Sequence, residues 1–394
     1  MSRLLIRDLC LADGQSDRLQ VELDLMIEEG RVARLAPSGE VDPGGAEVLD
    51  GGGATAVPAM VDSHSHLTLP GGSHWIDRGS DDPDLLREVA GRNAHRLVEA
   101  GVLWARDVGS PRDPATGRAI SLDVRDVLGG RGGQPYIRVA GTWLARAGYL
   151  GLTIPVEEDE GLCDAAMTQL DHGADFVKIM LDGVDRSPQA PFSVESVRRT
   201  VDAVHARGAR ITAHATILDG ARAAAQAGVD SIEHGMELDD GVAATMARNG
   251  VALVSTLSVL ASWETFARTT ALTRFHSEEG KAALRKRRDN AFASIAAAHR
   301  AGVKIAAGSD FGGGSVRAGH LAWEVELLVE AGLQPWEALA AVTWRGGELL
   351  GDEHAGRLST GGPADLVLVH GDPLSDPRAL WRVWTVFQRG MRVA

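Results

Sequence analysis

Between residues 56 and 350, short apolar runs of β type alternate with Ala-, Leu-, Glu- and Arg-rich stretches of helical type. The candidate strands are Ala56–Val61, Val102–Val108, Ile137–Gly141, Phe176–Met180, Arg210–Ala213, Ser231–Glu233, Val251–Ser255 and Lys304–Ala307. The stretches between them include Asp84–Ala100, Val194–Ala206, Asp219–Ala227 and Pro335–Leu350. Each opens near Asp, Ser or Pro, and several close on Gly, as capped helices do. Eight strand–helix units of this size predict a TIM-like (β/α)8 barrel over residues 56–354.

The flanks differ in character. The first 55 residues and residues 355–394 carry short strand signals punctuated by turns, among them Leu4–Arg7, Ala364–Val369 and Val383–Phe387. Head and tail are expected to pair into one composite β-sandwich domain beside the barrel. A net charge of −14 leaves no basic face for nucleic acid and disfavours an anionic membrane. Two cysteines make no disulfide framework, and neither a leader nor a long apolar run is seen, so a cytoplasmic protein is expected.

The chemistry gathers at strand ends. His64 and His66 follow the first strand, and residues i and i+2 of an extended chain share one side. Lys178 lies inside the apolar run Phe176–Met180, where a charged ammonium is costly to bury. His214, His234 and Asp310 each follow a candidate strand. The C-terminal ends of barrel strands converge on one point, so these six side chains are expected to meet there. Imidazoles and a carboxylate suit a divalent metal, and a neutral lysine amine can react with carbon dioxide.

The segments Val61-Asp62-Ser63-His64-Ser65-His66, Ile232-Glu233-His234-Gly235 and Gly308-Ser309-Asp310, together with Lys178, His214 and the tail Gly361-Gly362-Pro363-Ala364-Asp365-Leu366-Val367, resemble the amidohydrolase superfamily. The chain is most similar to its imidazolonepropionase-related branch, which includes metal-dependent dipeptidases and carboxypeptidase-like amidases. The resemblance implies two divalent metal ions, zinc first among them. His64, His66 and Asp310 would hold one, and His214 and His234 the other. Lys178, carboxylated by CO2, would bridge them together with a hydroxide. Asp310 would take the hydroxide's proton and pass it to the leaving amine. Deaminases of the superfamily carry a Glu shortly after the fifth-strand histidine, whereas His214 is followed by Ala215-Thr216-Ile217-Leu218-Asp219.

The implied activity is hydrolysis of an amide or peptide-like C–N bond in a small molecule, an N-acyl amino acid or dipeptide first. Cyclic amides or imides, lactones, esters and decarboxylation are the alternatives at the same metals. Candidate substrate contacts lie in the strand-end loops. Tyr149 can donate to a developing oxyanion, or pack at a loop base. Arg146 and Arg317 can clamp a carboxylate, or lie on the surface. His74-Trp75 can wall the pocket or form a plain packed loop, and Trp263 with Phe266 can form an apolar lid or anchor a helix. The basic run Lys281–Arg288 reads as a solvated helix face, with an anion-docking patch as the alternative. The barrel exterior can associate into a homo-oligomer, though the sequence indicates no symmetry.

Overall fold

The computed structural model describes residues 3–394. Seven of the eight candidate strands form within two parallel sheets, and the first reaches them only at its C-terminal end. One holds Met60–Ser65, Val102–Asp107 and Tyr136–Val139. The other runs in the order Ile154–Val156, Leu144–Arg146, Phe176–Met180, Arg210–Ala215, Ser231–His234, Ala252–Ser255, Ile305–Ala307. Every neighbouring pair is parallel. These strands read as continuous apolar runs because helices cover their outer faces.

Backbone bonds tie the two sheets together on both sides. The Asp175 N–H donates to the Val139 carbonyl at 2.8 Å, and its carboxylate accepts from the Val139 N–H at 2.9 Å. On the other side, the Asp310 N–H donates to the His64 carbonyl at 2.8 Å. The Gly308 backbone lies so close to His64 that a Cβ there would meet the His64 nitrogen at 2.4 Å. The first and last parallel strands are thereby held side by side at their C-terminal ends.

Head and tail form one sheet. Its order is Met391–Arg392, Val383–Gln388, Leu366–Val369, Thr55–Pro58, Arg3–Leu11, Gln20–Glu28, Arg31–Pro37, with Glu47–Asp50 on Arg3–Leu11. It carries its own apolar cluster, including Ile6, Leu25, Leu366 and Phe387, and fits a β-sandwich-like domain.

Two expectations are corrected. The apolar run Ala56–Val61 is two strands in different sheets: Thr55–Pro58 pairs with the tail, and Met60–Ser65 opens the parallel layer. Apolar character is unbroken across Pro58 and Ala59, so hydrophobicity carries no mark of the change. The stretch Pro335–Leu350 is likewise two helices, Pro335–Ala341 and Trp344–Leu350. Between them the Val342 carbonyl accepts the Val61 N–H at 2.7 Å, a bond to the first parallel strand instead of one within a helix. By contrast, Phe176–Met180 and Val194–Ala206 form at their expected bounds, the latter capped by the Ser193 hydroxyl on the Ser196 N–H. No helix among the described residues is long and apolar enough to cross a membrane.

Two glycines separate crowding from backbone entropy. Gly308→Ala forces the His64 strand to shift and should cost about 1–3 kcal/mol. Gly91 lies within the helix Pro83–Glu99 with open space around it, so Gly91→Ala should add about 0.5–1 kcal/mol. Chemical denaturation of both variants should show opposite signs; equal effects would refute the close approach at Gly308.

Candidate metal centre

The strand ends bring the expected side chains together. His64 closes to 4.7 Å from His234 between ring centroids, and His234 to 4.6 Å from His214. Asp310 Oδ1 lies 3.3 Å from His66 Nε2 and 3.6 Å from His64 Nε2, while Oδ2 lies 3.9 Å from His234 Nδ1. One ligand atom from each of His64, His234 and Asp310 falls within 4.8 Å of the others. His234 and Asp310 both adopt left-handed backbone, at φ 69° and 51°. Such strain at a non-glycine residue persists only where the surrounding fold enforces it.

Each imidazole is oriented from behind. The His64 Nδ1 pairs with Glu233 Oε2 at 2.6 Å, and the His66 Nδ1 with the Gly109 carbonyl at 2.9 Å. Both leave Nε2 toward Asp310. Thr256 Oγ1 pairs with His234 Nδ1 at 2.7 Å, and Asp182 Oδ2 with His214 Nε2 at 3.1 Å. Glu233 is itself held by Arg106 Nη1 at 2.9 Å, by the Ser231 hydroxyl at 2.8 Å and by Thr212.

The electrostatics suit a cation. Burial lowers the His64 imidazolium to about 4 and holds His234 well below the usual histidine range, the latter helped by the neighbouring imidazoles. Both rings are therefore neutral and can ligate. Burial pushes Asp310 up, but His64 and His66 outweigh it and keep the carboxylate ionised. Glu233 is likewise held far below the carboxylate range, because Arg106 and Lys178 outweigh its burial. Lys178 is fully buried, and burial lowers its ammonium to about 8. Its Nζ has no hydrogen-bond partner, although it lies in the same cavity as the histidines and Asp310. The neutral imidazoles of His64 and His234, an ionised carboxylate and an orphaned amine form a donor set that fits divalent metal ions.

A cavity of about 910 Å³ opens above this cluster. Trp75, Trp143, Leu152, Met180 and Met236 supply apolar wall. Tyr149 lies in the wall as expected, its hydroxyl 3.4 Å from His214 Nε2. Burial and the Asp182 charge raise its pKa, so the phenol stays protonated. Trp263 also lines the cavity and donates from Nε1 to the Gly313 carbonyl at 2.9 Å. Phe266 instead packs with Phe275 and Leu284 and anchors the segment.

Three candidate contacts are not delivered to the cavity. The Arg146 guanidinium bonds Pro191 and Glu157 carbonyls, pairs with Asp159 and stacks 4.4 Å over Phe192. Its donors are committed to loop structure. Arg317 is exposed and outside the cavity wall. The His74 side chain is 54% exposed and pairs with Asp77, because the one-turn helix Trp75–Arg78 turns Trp75 and Ile76 to the wall instead. Sequence reasoning missed Glu233, Arg106 and Asp182 as supports. Arg106 and Glu233 were visible as charges inside apolar strands, the same signal that singled out Lys178.

An uncharacterized protein of Mycobacterium tuberculosis is 33% identical over 98% of this chain and 95% of its own length. Imidazolonepropionase of Anaeromyxobacter dehalogenans is 28% identical over 84% of this chain and 78% of its own. The crystal structure of a Xaa-Pro dipeptidase with methionine bound in its active site superposes with a TM-score of 0.84 at 24% identity, covering 99% of both chains. A profile of the amidohydrolase family matches residues 55–393, and the chain belongs to that family.

Proposed function

We propose that this amidohydrolase cleaves an amide or peptide-like C–N bond of a small molecule at two divalent metal ions. The observation that carries the reading is the orphaned Lys178 Nζ in one cavity with four histidines, two of them (His64 and His234) held neutral, and one ionised carboxylate. In this reading the two parallel sheets are arcs of one (β/α)8 barrel spanning 56–354, and residues 1–55 and 355–394 make the composite domain. His64, His66 and Asp310 would hold one ion, and His214 and His234 the other. Lys178, as the carbamate that its amine would form with CO2 on losing one proton, would supply a further anionic ligand. Zinc suits this donor set. Two such ions acidify a shared water and polarise a carbonyl when bound.

The chain's own groups supply the rest. Asp310 accepts the proton that water loses on attacking the amide carbon. It returns that proton to the departing nitrogen as the C–N bond breaks, so the carboxylate is regenerated. Tyr149, kept protonated by burial, donates to the oxygen that gains charge. The apolar wall excludes water and accepts a hydrophobic acyl or side-chain group. The dipeptidase fold neighbour and the cavity's size together favour N-acyl amino acids and dipeptide-like molecules as the substrate class.

Four measurements test this reading. Protein grown with excess zinc and bicarbonate should carry two metal equivalents by elemental analysis. Lys178→Ala should lose bridged occupancy and recover part of its activity with added short carboxylic acids; full metal content without rescue removes the carbamate. Asp310→Asn should lower kcat on a cleaved amide by about 10²–10⁴-fold while the fold persists, and near-normal kcat would exclude it as the proton carrier. Glu233→Gln leaves Arg106 with a neutral partner and loosens His64. Metal affinity, read by chelator competition, should fall about 10–100-fold; unchanged affinity would make Glu233 a purely structural group.

A further inference from the structure

The long helix Glu278–Arg300 crosses the cavity. Gly280, Ala283, Leu284 and Arg287 all line it, and their spacing of three, four and seven residues defines one helix face. Arg287 is the one basic residue of the run Lys281–Arg288 on that face. Lys281 is paired with Glu278 at 2.9 Å and Arg288 with Glu330 at 3.0 Å, both outside the cavity. Among the described residues, Arg287 makes neither an ion pair nor a hydrogen bond, and it stacks on no ring. The cavity's carboxylates do not claim it. Asp182 is bonded to His214 and Thr216, and Asp310 faces the histidines. Glu279 is eight residues back along the helix, about 12 Å of rise. Asp185 makes no ion pair with it.

Arg287 lines the same cavity as Tyr149, whose hydroxyl lies 3.4 Å from His214 Nε2. The second arginine of the cavity, Arg274, is differently placed. It donates to the Ser73 carbonyl at 3.0 Å and stacks 4.6 Å over Phe275, so part of its fork is already committed. The cavity rim thus carries an exposed guanidinium that, among the described residues, has no partner.

We propose that Arg287 anchors a free carboxylate of the substrate, so that the protein acts on N-acyl amino acids or dipeptides whose carboxylate lies beside the scissile nitrogen. This rests on the amide-hydrolase reading and narrows it. A guanidinium binds a carboxylate through two parallel N–H donors, which fixes orientation as well as charge. With Arg146 and Arg317 directed elsewhere, the anchor comes from the helix inserted between strands Ala252–Ser255 and Ile305–Ala307. The acyl group then occupies the tryptophan- and methionine-lined wall, and the amide lies over Asp310 and Lys178.

The test compares N-acetyl-L-methionine with N-acetyl-L-methioninamide on the metal-loaded protein, by calorimetric binding and by turnover. The wild type should favour the acid by about 30-fold in affinity and in kcat/KM. Arg287→Met should bring the acid-to-amide ratio close to one, chiefly through Kd and KM, and Arg287→Lys should retain only part of it. Arg285→Met, on the outer face of the same helix, should leave the ratio unchanged. Tighter acid binding that depends on Arg287, without turnover of either probe, keeps the anchor and overturns the amide-hydrolase reading. Equal binding of the two probes by the wild type overturns the anchor, as does a ratio that survives in Arg287→Met. An equal loss in Arg285→Met overturns it too, since the effect would then be diffuse charge.

Discussion

A buried carboxylate–guanidinium pair sits beneath everything the site can do. Glu233 and Arg106 are almost completely excluded from water, yet lie 2.9 Å apart within strands from the two different parallel sheets. Removing two charges from water costs several kcal/mol each, and pairing alone offsets that only with excellent geometry. Here the other bonding positions are filled as well. Glu233 takes His64, Thr212 and Ser231, and Arg106 gives further bonds to the Ser63 carbonyl and the Ser231 hydroxyl. The pair therefore connects four strands at one depth. Its product is the orientation of His64, whose Nδ1 is engaged and whose Nε2 faces Asp310.

A second brace works from the opposite side. Asp62 accepts from the Ser309 hydroxyl at 2.6 Å and from the Ser309 N–H at 3.0 Å. It also accepts from the His64 N–H at 3.3 Å. One carboxylate thus links the residue before Asp310 to the backbone of the first metal-type histidine. This explains how Asp310 can remain at a φ of 51°. Strain of order 1–3 kcal/mol needs a surrounding structure that over-determines it. Gly308 beside His64 leaves no room for relaxation.

How much of this was legible in the sequence depends on what each residue's position obeys. His64, His66, Lys178, His214, His234 and Asp310 could be read because strand ends of a repeated βα pattern share one location. Strand Phe176–Met180 and helix Val194–Ala206 were legible to the residue, since periodicity and an N-cap serine agreed. The loop residues were not. Charge and nearness in sequence point to His74, Arg146 and Arg317, but a loop side chain's direction follows from turn geometry and its local partners. Arg146 had Asp159 and two carbonyls within reach, which no spacing rule could reveal. The double strand hidden in Ala56–Val61 escaped for a related reason: pairing partners 300 residues away decide where one apolar run ends.

The basic run Lys281–Arg288 shows the same limit from the other side. By composition it is a solvated face, and for Lys281 and Arg288 that reading holds, since each has an acidic partner outside the cavity. Helical periodicity separates Arg287 from them, because it shares the face of Gly280, Ala283 and Leu284. A charge run is therefore not one object. In a helix laid across a cavity, its members divide between solvent and interior every three or four residues. What decides the partner of a cavity-lining arginine is the chemistry around it. Here Asp182 and Asp310 are already held by histidines, which leaves the guanidinium open to an anion that arrives with a ligand.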